Sequence, residues 1–177
     1  MKKIVYYVAS SLDGFIAGPN DDISHFVFQG PGVDQYRADL NAFRTTIMGR
    51  RTYEFGYQYG LQPGQPAYPH MQHHIFSKTL KFDNPHEQVH PEPLSIERVQ
   101  AIKAQADTDI YLCGGGAFAG WLLDHGLVDQ LKLKLNPVLL GAGVPLFGDS
   151  KTAIKWKCTE SKQYEDGIQI MSFDPIK

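Results

Sequence analysis

The chain has 177 residues, of which 42% are apolar and 20% are charged, and its formal net charge at neutral pH is −2. This length and composition are typical of one globular domain that buries a sizeable core. The near-neutral charge, without a basic stripe or a polybasic arm, makes nucleic acids and membrane surfaces poor candidates as partners.

Three features of the sequence favour a cytoplasmic location. The two cysteines, Cys113 and Cys158, form no CxxC pair, which fits a reducing compartment better than a disulfide framework. The segment from Met1 to Tyr7 contains two lysines but no long apolar region or small-residue cleavage site behind it. No stretch approaches the roughly 20 apolar residues that a membrane-spanning helix needs. We therefore expect a soluble cytoplasmic protein.

The first half of the chain is predicted to alternate between strands and helices. Apolar patterning and residue type predict strand, helix, strand, short helix and strand at Ile4–Ala9, Val33–Phe43, Thr45–Met48, Tyr53–Phe55 and His74–Ser77. Segments rich in glycine, proline and polar residues predict long loops at Pro19–Gly32, Gln58–Pro69 and Lys78–Pro93.

The second half begins with the same alternation and ends in strands alone. Helices are predicted at Ser95–Ala106, with Ser95 as N-cap, and at Phe118–His125, closed by Gly126, while strands are predicted at Asp109–Cys113, Gln130–Leu140, Trp156–Glu160 and Ile168–Phe173. The Asp166-Gly167 pair predicts a hairpin turn between the last two strands. This order predicts an α/β fold with a mostly parallel sheet covered on both faces and an antiparallel hairpin at its end.

Three glycines follow the predicted strand at Asp109–Cys113 and lead into the next helix. A strand that feeds a helix through glycines leaves backbone N–H groups unshielded at the helix N-terminus, where the helix dipole also favours an anion. Side chains at Gly115 and Gly116 would block the approach of a pyrophosphate. The alternative is a tight strand-to-helix turn with close packing, and the spacing matches neither a P-loop nor the GxGxxG fingerprint.

Two more predicted strands end in basic and hydroxyl-bearing residues. Gly49-Arg50-Arg51-Thr52 follows one strand, and arginine is well suited to bidentate phosphate contacts. Ser77-Lys78-Thr79 lies at the end of the next strand along the chain. The alternative for the first motif is a solvated basic pair with Thr52 as a helix cap. The alternative for the second motif is an ordinary surface turn.

The three motifs share one placement, at the C-terminal ends of predicted strands. Open α/β sheets bind their ligands along that edge. Three anion-binding elements on one edge suit a ligand with several separated phosphates. NADPH, with its pyrophosphate and 2′-phosphate, is such a ligand.

Four segments in this order resemble the dihydrofolate reductase superfamily. They are VASSLDGFIAG (Val8–Gly18), IMGRRTYE (Ile47–Glu54), IFSKT (Ile75–Thr79) and YLCGGGAFA (Tyr111–Ala119). Within the superfamily, the chain is most similar to the C-terminal reductase domain of bacterial bifunctional riboflavin-biosynthesis deaminase-reductases and to stand-alone bacterial proteins built on it. The resemblance implies one domain over residues 1–177, commonly a homodimer. It also implies three α/β/α layers around a mixed, mostly parallel sheet of about eight strands.

The resemblance also implies NADPH as hydride donor and assigns residues to it. Gly114, Gly115, Gly116, Ala117 and Phe118 would lie along the pyrophosphate, and Gly49, Arg50, Arg51 and Thr52 would face the phosphates of the adenosine half. Ser77, Lys78 and Thr79 would lie in the 2′-phosphate region, and Ala9 and Ile16 would flank the nicotinamide through their backbone groups.

Three aspartates are candidates for supplying or relaying the proton of the reaction. Asp13 follows the first strand and would lie near nicotinamide and substrate. Folate reductases keep a carboxylate in the first helix, where burial raises its pKa toward working pH. Asp39 matches the Asp-Leu-x-x-Phe pattern of that helix, whereas counting back from Gly49 without gaps leads to Asp34. The alternative for both is a solvated carboxylate on the helix surface.

The substrate signatures of both related families are missing. The stretch Pro69–His74 has no arginine for a folate tail, and the Asp-Gly turn is followed by Phe15 instead of the lysine usual in riboflavin-pathway domains. A later Ser-x-Trp segment is replaced by Ser24-His25-Phe26. His70, His73 and His74 lack a nearby cysteine or paired carboxylate in sequence, so no metal site is predicted.

The sequence as a whole predicts an NADPH-dependent reductase of a small heterocyclic or ribosylamino-pyrimidine-type substrate. The predicted reaction resembles that of the 5-amino-6-(5-phosphoribosylamino)uracil reductases. Two alternatives stay open: a dihydrofolate or pterin reductase, and an NADP(H)-binding module without turnover.

Overall fold

The computed structural model describes residues 2–176, which contain a large mixed sheet, a small two-stranded sheet and four α-helices. The helices are α1 (Pro31–Leu40), α2 (Arg50–Phe55), α3 (Ile96–Gln105) and α4 (Gly116–Asp124). The strands are β1 (Ile4–Ser10), β2 (Phe15–Ala17), β3 (Thr45–Gly49), β4 (Gln72–Phe76), β5 (Val89–Glu92), β6 (Ile110–Gly114), β7 (Gln130–Leu135), β8 (Val144–Pro145), β9 (Trp156–Gln163) and β10 (Gln169–Pro175).

The large sheet has eight strands in the order β5-β4-β3-β6-β1-β7-β10-β9. The first six in that order run parallel, and β10 is antiparallel to both β7 and β9. This confirms the predicted three-layer fold with a mostly parallel sheet and a terminal antiparallel hairpin. Because β1, β3, β4, β6 and β7 run in the same direction, their C-terminal ends meet at one edge of the sheet.

The side chains of β1 alternate between two cores, one on each face of the sheet. Ile4 and Tyr6 belong to the core beneath α3 and α4, while Val5 and Tyr7 belong to the core beneath α1. Helix α4 is apolar on nearly all sides and is mostly buried, as expected for a helix covered by other elements. Each fully buried side chain of these cores, such as Leu122, stabilises the fold by about 1.5–3 kcal/mol relative to exposure.

Several element boundaries differ from prediction, and prolines account for most of the differences. Helix α1 begins at Pro31, before the predicted start, since proline suits the first helical position. Strand β7 ends at Leu135 because Pro137 cannot donate to the ladder. Strand β5, which lies in a predicted loop, contains Pro91 and is tolerated as the edge strand of the sheet.

The predicted caps are confirmed. The side chain of Ser95 accepts a hydrogen bond from the backbone N–H of Arg98 at 3.2 Å. Gly126 has a φ of +65° after α4, where glycine is favoured. None of the helices within residues 2–176 is long and apolar enough to cross a membrane.

The small sheet and the loop after it join the start of the chain to α4. Strand β8 pairs with β2 through Phe15 and Ala17, and the loop that continues from Pro145 to Gly148 packs on α4. Neither short strand was predicted, because two or three residues carry too little periodicity.

Candidate functional site

The three predicted anion-binding motifs meet at the C-terminal edge of the sheet. Strand β3 lies between β4 and β6, so the residues after all three strands are neighbours. Arg50 Nη1 donates to Thr79 Oγ1 at 3.0 Å. The rings of Phe76 and Phe118 stack with centroids 4.9 Å apart. Gly115, Arg50 and Ser77 therefore border one region and do not lie on separate surfaces.

The junction of β6 and α4 offers unpaired donors. Within residues 2–176, the backbone N–H groups of residues 115–118 and the hydroxyl of Thr52 have no hydrogen-bond partner. A Cβ added at Gly115 would lie 2.9 Å from Thr52 Oγ1, so a larger residue would fill the space between them. Free N–H groups at the positive end of a helix dipole, beside a hydroxyl, are suited to bind a phosphate.

Gly116 packs closely against a neighbouring loop. A Cβ at this position would lie 2.2 Å from the carbonyl oxygen of Pro145, and one at Gly120 would lie 2.2 Å from that of Phe147. The two glycines form one face of α4 that packs on the backbone of the loop. The absence of a side chain at Gly116 is therefore explained by close packing within the fold, the alternative that the sequence left open, and a role for Gly116 toward pyrophosphate stays a prediction.

The basic residues at this edge keep their charges accessible. Arg50 pairs with Glu54 at 2.7 Å, and Arg51 pairs with Asp21 at 3.1 Å, but the side chain of Arg50 remains about half exposed and that of Arg51 largely exposed. Exposed ion pairs contribute little free energy, so a phosphate can compete for either arginine. Lys78 is exposed and has no ion pair among the described residues.

Ser77 shapes the turn that carries Lys78. Its Oγ accepts hydrogen bonds from the backbone N–H groups of Thr79 and Leu80, each at 3.1 Å. The Ser77 hydroxyl can still donate, and the same turn carries the exposed Lys78 and the Thr79 hydroxyl that contacts Arg50.

Asp13 is tied into a loop and is a poor proton donor. Its carboxylate accepts from Ser11 Oγ at 2.6 Å and from the backbone N–H groups of Gly141, at 2.7 Å, and Leu140. These hydrogen bonds lower the pKa of Asp13 to about 2, with that from Ser11 the largest cause. An aspartate that stays ionised at neutral pH cannot donate a proton, so the structure argues against this predicted role.

Replacing Asp13 with asparagine is expected to loosen the loop without unfolding the protein. Amide hydrogen exchange at Leu140 and Gly141 should become several-fold faster, because a neutral amide oxygen is a weaker acceptor than a carboxylate. Mass spectrometry of exchanged peptides measures this, with peptides from α3 as internal control. Unchanged exchange at both residues would contradict the anchoring role.

The carboxylates of the other two candidate aspartates already have partners within the fold. Asp34 is exposed and pairs with Arg37 at 3.5 Å, so it matches the solvated alternative. Asp39 accepts hydrogen bonds from Lys132 Nζ at 2.7 Å, Gln35 Nε2 at 2.8 Å and the Tyr7 hydroxyl at 2.9 Å. Partial burial favours a higher pKa for Asp39, but these hydrogen bonds outweigh it and hold the pKa below its usual value. Asp39 therefore lacks the raised pKa that a proton donor needs.

Comparison with known proteins agrees with this fold. A family model described as the RibD C-terminal domain matches residues 2–170. The chain belongs to the RibD C-terminal domain family. The uncharacterized protein YyaP of Bacillus subtilis is 28% identical over 176 residues, covering 94% of this chain and 92% of YyaP.

Two solved structures show the same fold. A candidate riboflavin biosynthesis protein of Shewanella sp. PV-4 superposes with a TM-score of 0.82 at 21% identity, covering all of both chains. Dihydrofolate reductase of Enterococcus faecalis, solved with NADP(H), superposes with a TM-score of 0.70 at 15% identity over 99% of this chain and 97% of the other. Together with the family, they support a reductase of the riboflavin-pathway type.

This RibD C-terminal domain also has a polar cluster beneath α1 that none of the sequence motifs indicated. The hydroxyls of Tyr36 and Tyr111 are 2.7 Å apart. The Nζ of Lys134 lies 5.1 Å from the centroid of the Tyr36 ring, and Lys134 is only 7% exposed. The signal that could have found it is the alternation of leucine and lysine along β7, since lysine is seldom buried in a strand covered on both faces.

The three histidines considered as metal ligands in the sequence instead contact other residues of the fold. His70 Nε2 lies 3.1 Å from the carbonyl oxygen of Leu40. His73 is fully buried, and burial is the main cause that lowers its pKa to about 4. His74 lies 2.7 Å from a carboxylate oxygen of Glu92. All three therefore make contacts within the fold around β4.

Proposed function

We propose that this RibD C-terminal domain is an NADPH-dependent reductase of a heterocyclic or ribosylamino-pyrimidine-type substrate. One observation carries the proposal: the residues that follow β3, β4 and β6 are suited to bind phosphate groups, and they lie together at one edge of the sheet. We further propose that residues 1–177 act as one domain and that the protein is a homodimer, which light scattering during gel filtration tests.

The free N–H groups of residues 115–118 and the Thr52 hydroxyl fit a pyrophosphate, because the space above Gly115 is one that a Cβ would fill. Arg50 and Arg51 would contact the phosphates of the adenosine half, and Ser77, Lys78 and Thr79 the 2′-phosphate. The backbone at Ala9 and at Ile16, where the pairing of β2 with β8 is irregular, would flank the nicotinamide. Bound NADPH supplies the hydride, and the protein orients it toward an electron-poor C=N or C=O carbon.

The cofactor proposal predicts selectivity for NADPH over NADH. Trp121 stacks on Phe118 in α4, with centroids 6.0 Å apart, so tryptophan fluorescence should report binding nearby. We expect NADPH to bind at least about tenfold more tightly than NADH, because the 2′-phosphate adds charge-assisted hydrogen bonds.

Lys78→Ala should remove most of that preference, and Lys81→Ala, an exposed lysine in the same loop, serves as the matched control. Equal and millimolar-weak binding of both dinucleotides by the unmodified protein would overturn the cofactor assignment.

Two other functions have specific support. The fold shared with dihydrofolate reductase favours a pterin substrate, and the missing substrate signatures favour a module that binds NADP(H) without turnover. NADPH oxidation with 5-amino-6-(5-phosphoribosylamino)uracil, dihydrofolate and a quinonoid dihydropterin separates the three. Consumption with the first supports the proposal, consumption only with pterins supports the second function, and tight binding without consumption supports the third.

A further inference from the structure

A lysine in the middle of the sheet has no counterion. Lys134 on β7 is 7% exposed, and its Nζ contacts the face of the Tyr36 ring at 5.1 Å. Among residues 2–176, no carboxylate lies within ion-pairing distance of this Nζ and no group accepts a hydrogen bond from it. Among the described residues, only Thr46 has a fully buried polar side-chain atom without a partner, so the unpaired ammonium of Lys134 keeps some access to solvent. Most of the side chain is nevertheless removed from water, which disfavours the charged form.

The charges around Lys134 leave it unneutralised. Arg37 on α1 disfavours the ammonium form, and Asp166 before β10 favours it from a distance. Asp39 on α1 is already paired with Lys132, the other lysine on this face of β7. Burial is the largest cause that lowers the pKa of Lys134, with the Arg37 charge second.

The position of Lys134 matches the reacting end of the proposed cofactor site. It is the register partner of Ala9, one residue before the end of β1, on the face of the sheet that α1 covers. Transfer of a hydride to a C=N or C=O carbon leaves the heteroatom in need of a proton. Asp13 and Asp39 are held ionised by their hydrogen bonds, and Asp34 lies at the surface.

We propose that Lys134 is the proton donor of this reductase, an inference that rests on the proposed function. The substrate carbon gains the hydride from NADPH, and the electron pair of its double bond moves onto the nitrogen or oxygen. That atom takes the proton from Lys134 Nζ, which is left as a neutral amine until water reprotonates it. The substrate therefore presents the heteroatom of its reducible bond toward β7.

The inference predicts a specific pH dependence. Because the pKa of Lys134 is lowered, the donor is present at low pH and is lost as pH rises through a value below the usual lysine range. The turnover rate should fall over that interval. A carboxylic acid donor would instead lose its proton in the acid range, well below it.

The test compares Lys134→Met, Lys134→Arg and the control Lys162→Met in NADPH oxidation with 5-amino-6-(5-phosphoribosylamino)uracil and with dihydrofolate. Lys162 is exposed on β9, two strands from Lys134 and in register with it through Ile170, and its Nζ contacts the Tyr164 ring at 4.9 Å. Its replacement therefore reproduces the loss of a lysine–tyrosine contact at an exposed position of the same sheet. Met should lower kcat by about 10²–10⁴-fold and abolish the alkaline fall. Arg keeps the charge but cannot release its proton, so it should lower kcat comparably with KM within a few fold.

The controls separate this inference from the function on which it rests. NADPH affinity and Tm measured on each variant show whether folding and the cofactor site are intact. If the wild type is active and Lys134→Arg retains its kcat, Lys134 acts only through its charge and the proton-donor role is overturned. If Lys134→Met keeps both kcat and the alkaline fall, the role is also overturned. A wild type that consumes NADPH with neither probe overturns the proposed function and this inference with it.

Discussion

Gly116→Ala is expected to lower the free energy of unfolding by about 3 kcal/mol, because the added methyl group would meet rigid backbone. Its Cβ would lie 2.2 Å from the carbonyl oxygen of Pro145 and 3.1 Å from the backbone nitrogen of Gly148. Neither atom belongs to a flexible side chain, so α4 or the loop has to move. For a protein of this size the loss corresponds to a fall in Tm of roughly 8 °C.

Gly18→Ala is the matched control for this variant. Its Cβ would lie 3.2 Å from the carbonyl oxygen of Asp22, a distance that a small adjustment relieves. Urea denaturation of both variants should give a change within about 1 kcal/mol for Gly18→Ala. Equal stability of the two variants would show that α4 does not pack on the loop as described. Because α4 carries the free N–H groups, Gly116→Ala should also weaken NADPH binding.

Asp39→Ala is expected to destabilise the fold by about 2 kcal/mol. The carboxylate is about one-fifth exposed and receives three hydrogen bonds, so its removal leaves the ammonium of Lys132 and the Tyr7 hydroxyl without their acceptor. The loss is smaller than for a fully buried pair because water reaches both groups. Asp39→Leu combined with Lys132→Met should recover most of the stability, since the double replacement leaves no uncompensated charge.

The contribution of Asp39 to the free energy of unfolding should also depend on pH. Its folded-state pKa is lowered, so its contribution is fully present above the pKa of about 3.9 for an unfolded aspartate and is lost as pH falls through the folded-state value. The stability difference between wild type and Asp39→Ala should therefore shrink on acidification from pH 7 to about pH 3. A difference that grows on acidification would mean that Asp39 is protonated in the native state.

The sequence indicated the placement of those motifs that local patterns control, and their roles in binding stay a prediction. Glycines and arginines directly after apolar strands are visible in sequence, and the common direction of the strands then brings Gly115 near Thr52. The fold class followed from the alternation of strands and helices. Strand β5 was missed because Pro91 reads as a loop signal when its edge position is unknown.

The roles of individual polar residues could not be predicted, because they depend on partners distant in sequence. The Asp13 carboxylate is held by amides at positions 140 and 141, and Asp39 by Lys132. Lys134 is notable for a missing counterion, which only the placement of α1 against β7 reveals. Periodicity indicates which face a residue occupies but not whether its charge is matched.

Strand β8 and the loop that follows it to Gly148 touch β2 on one side and α4 on the other. These two elements belong to opposite ends of the proposed dinucleotide site, one near Ile16 and the other near Gly115. In the proposed site, this segment would therefore set how far apart the two halves of the dinucleotide are held. An insertion within it would alter that span even though no residue in contact with the dinucleotide had changed.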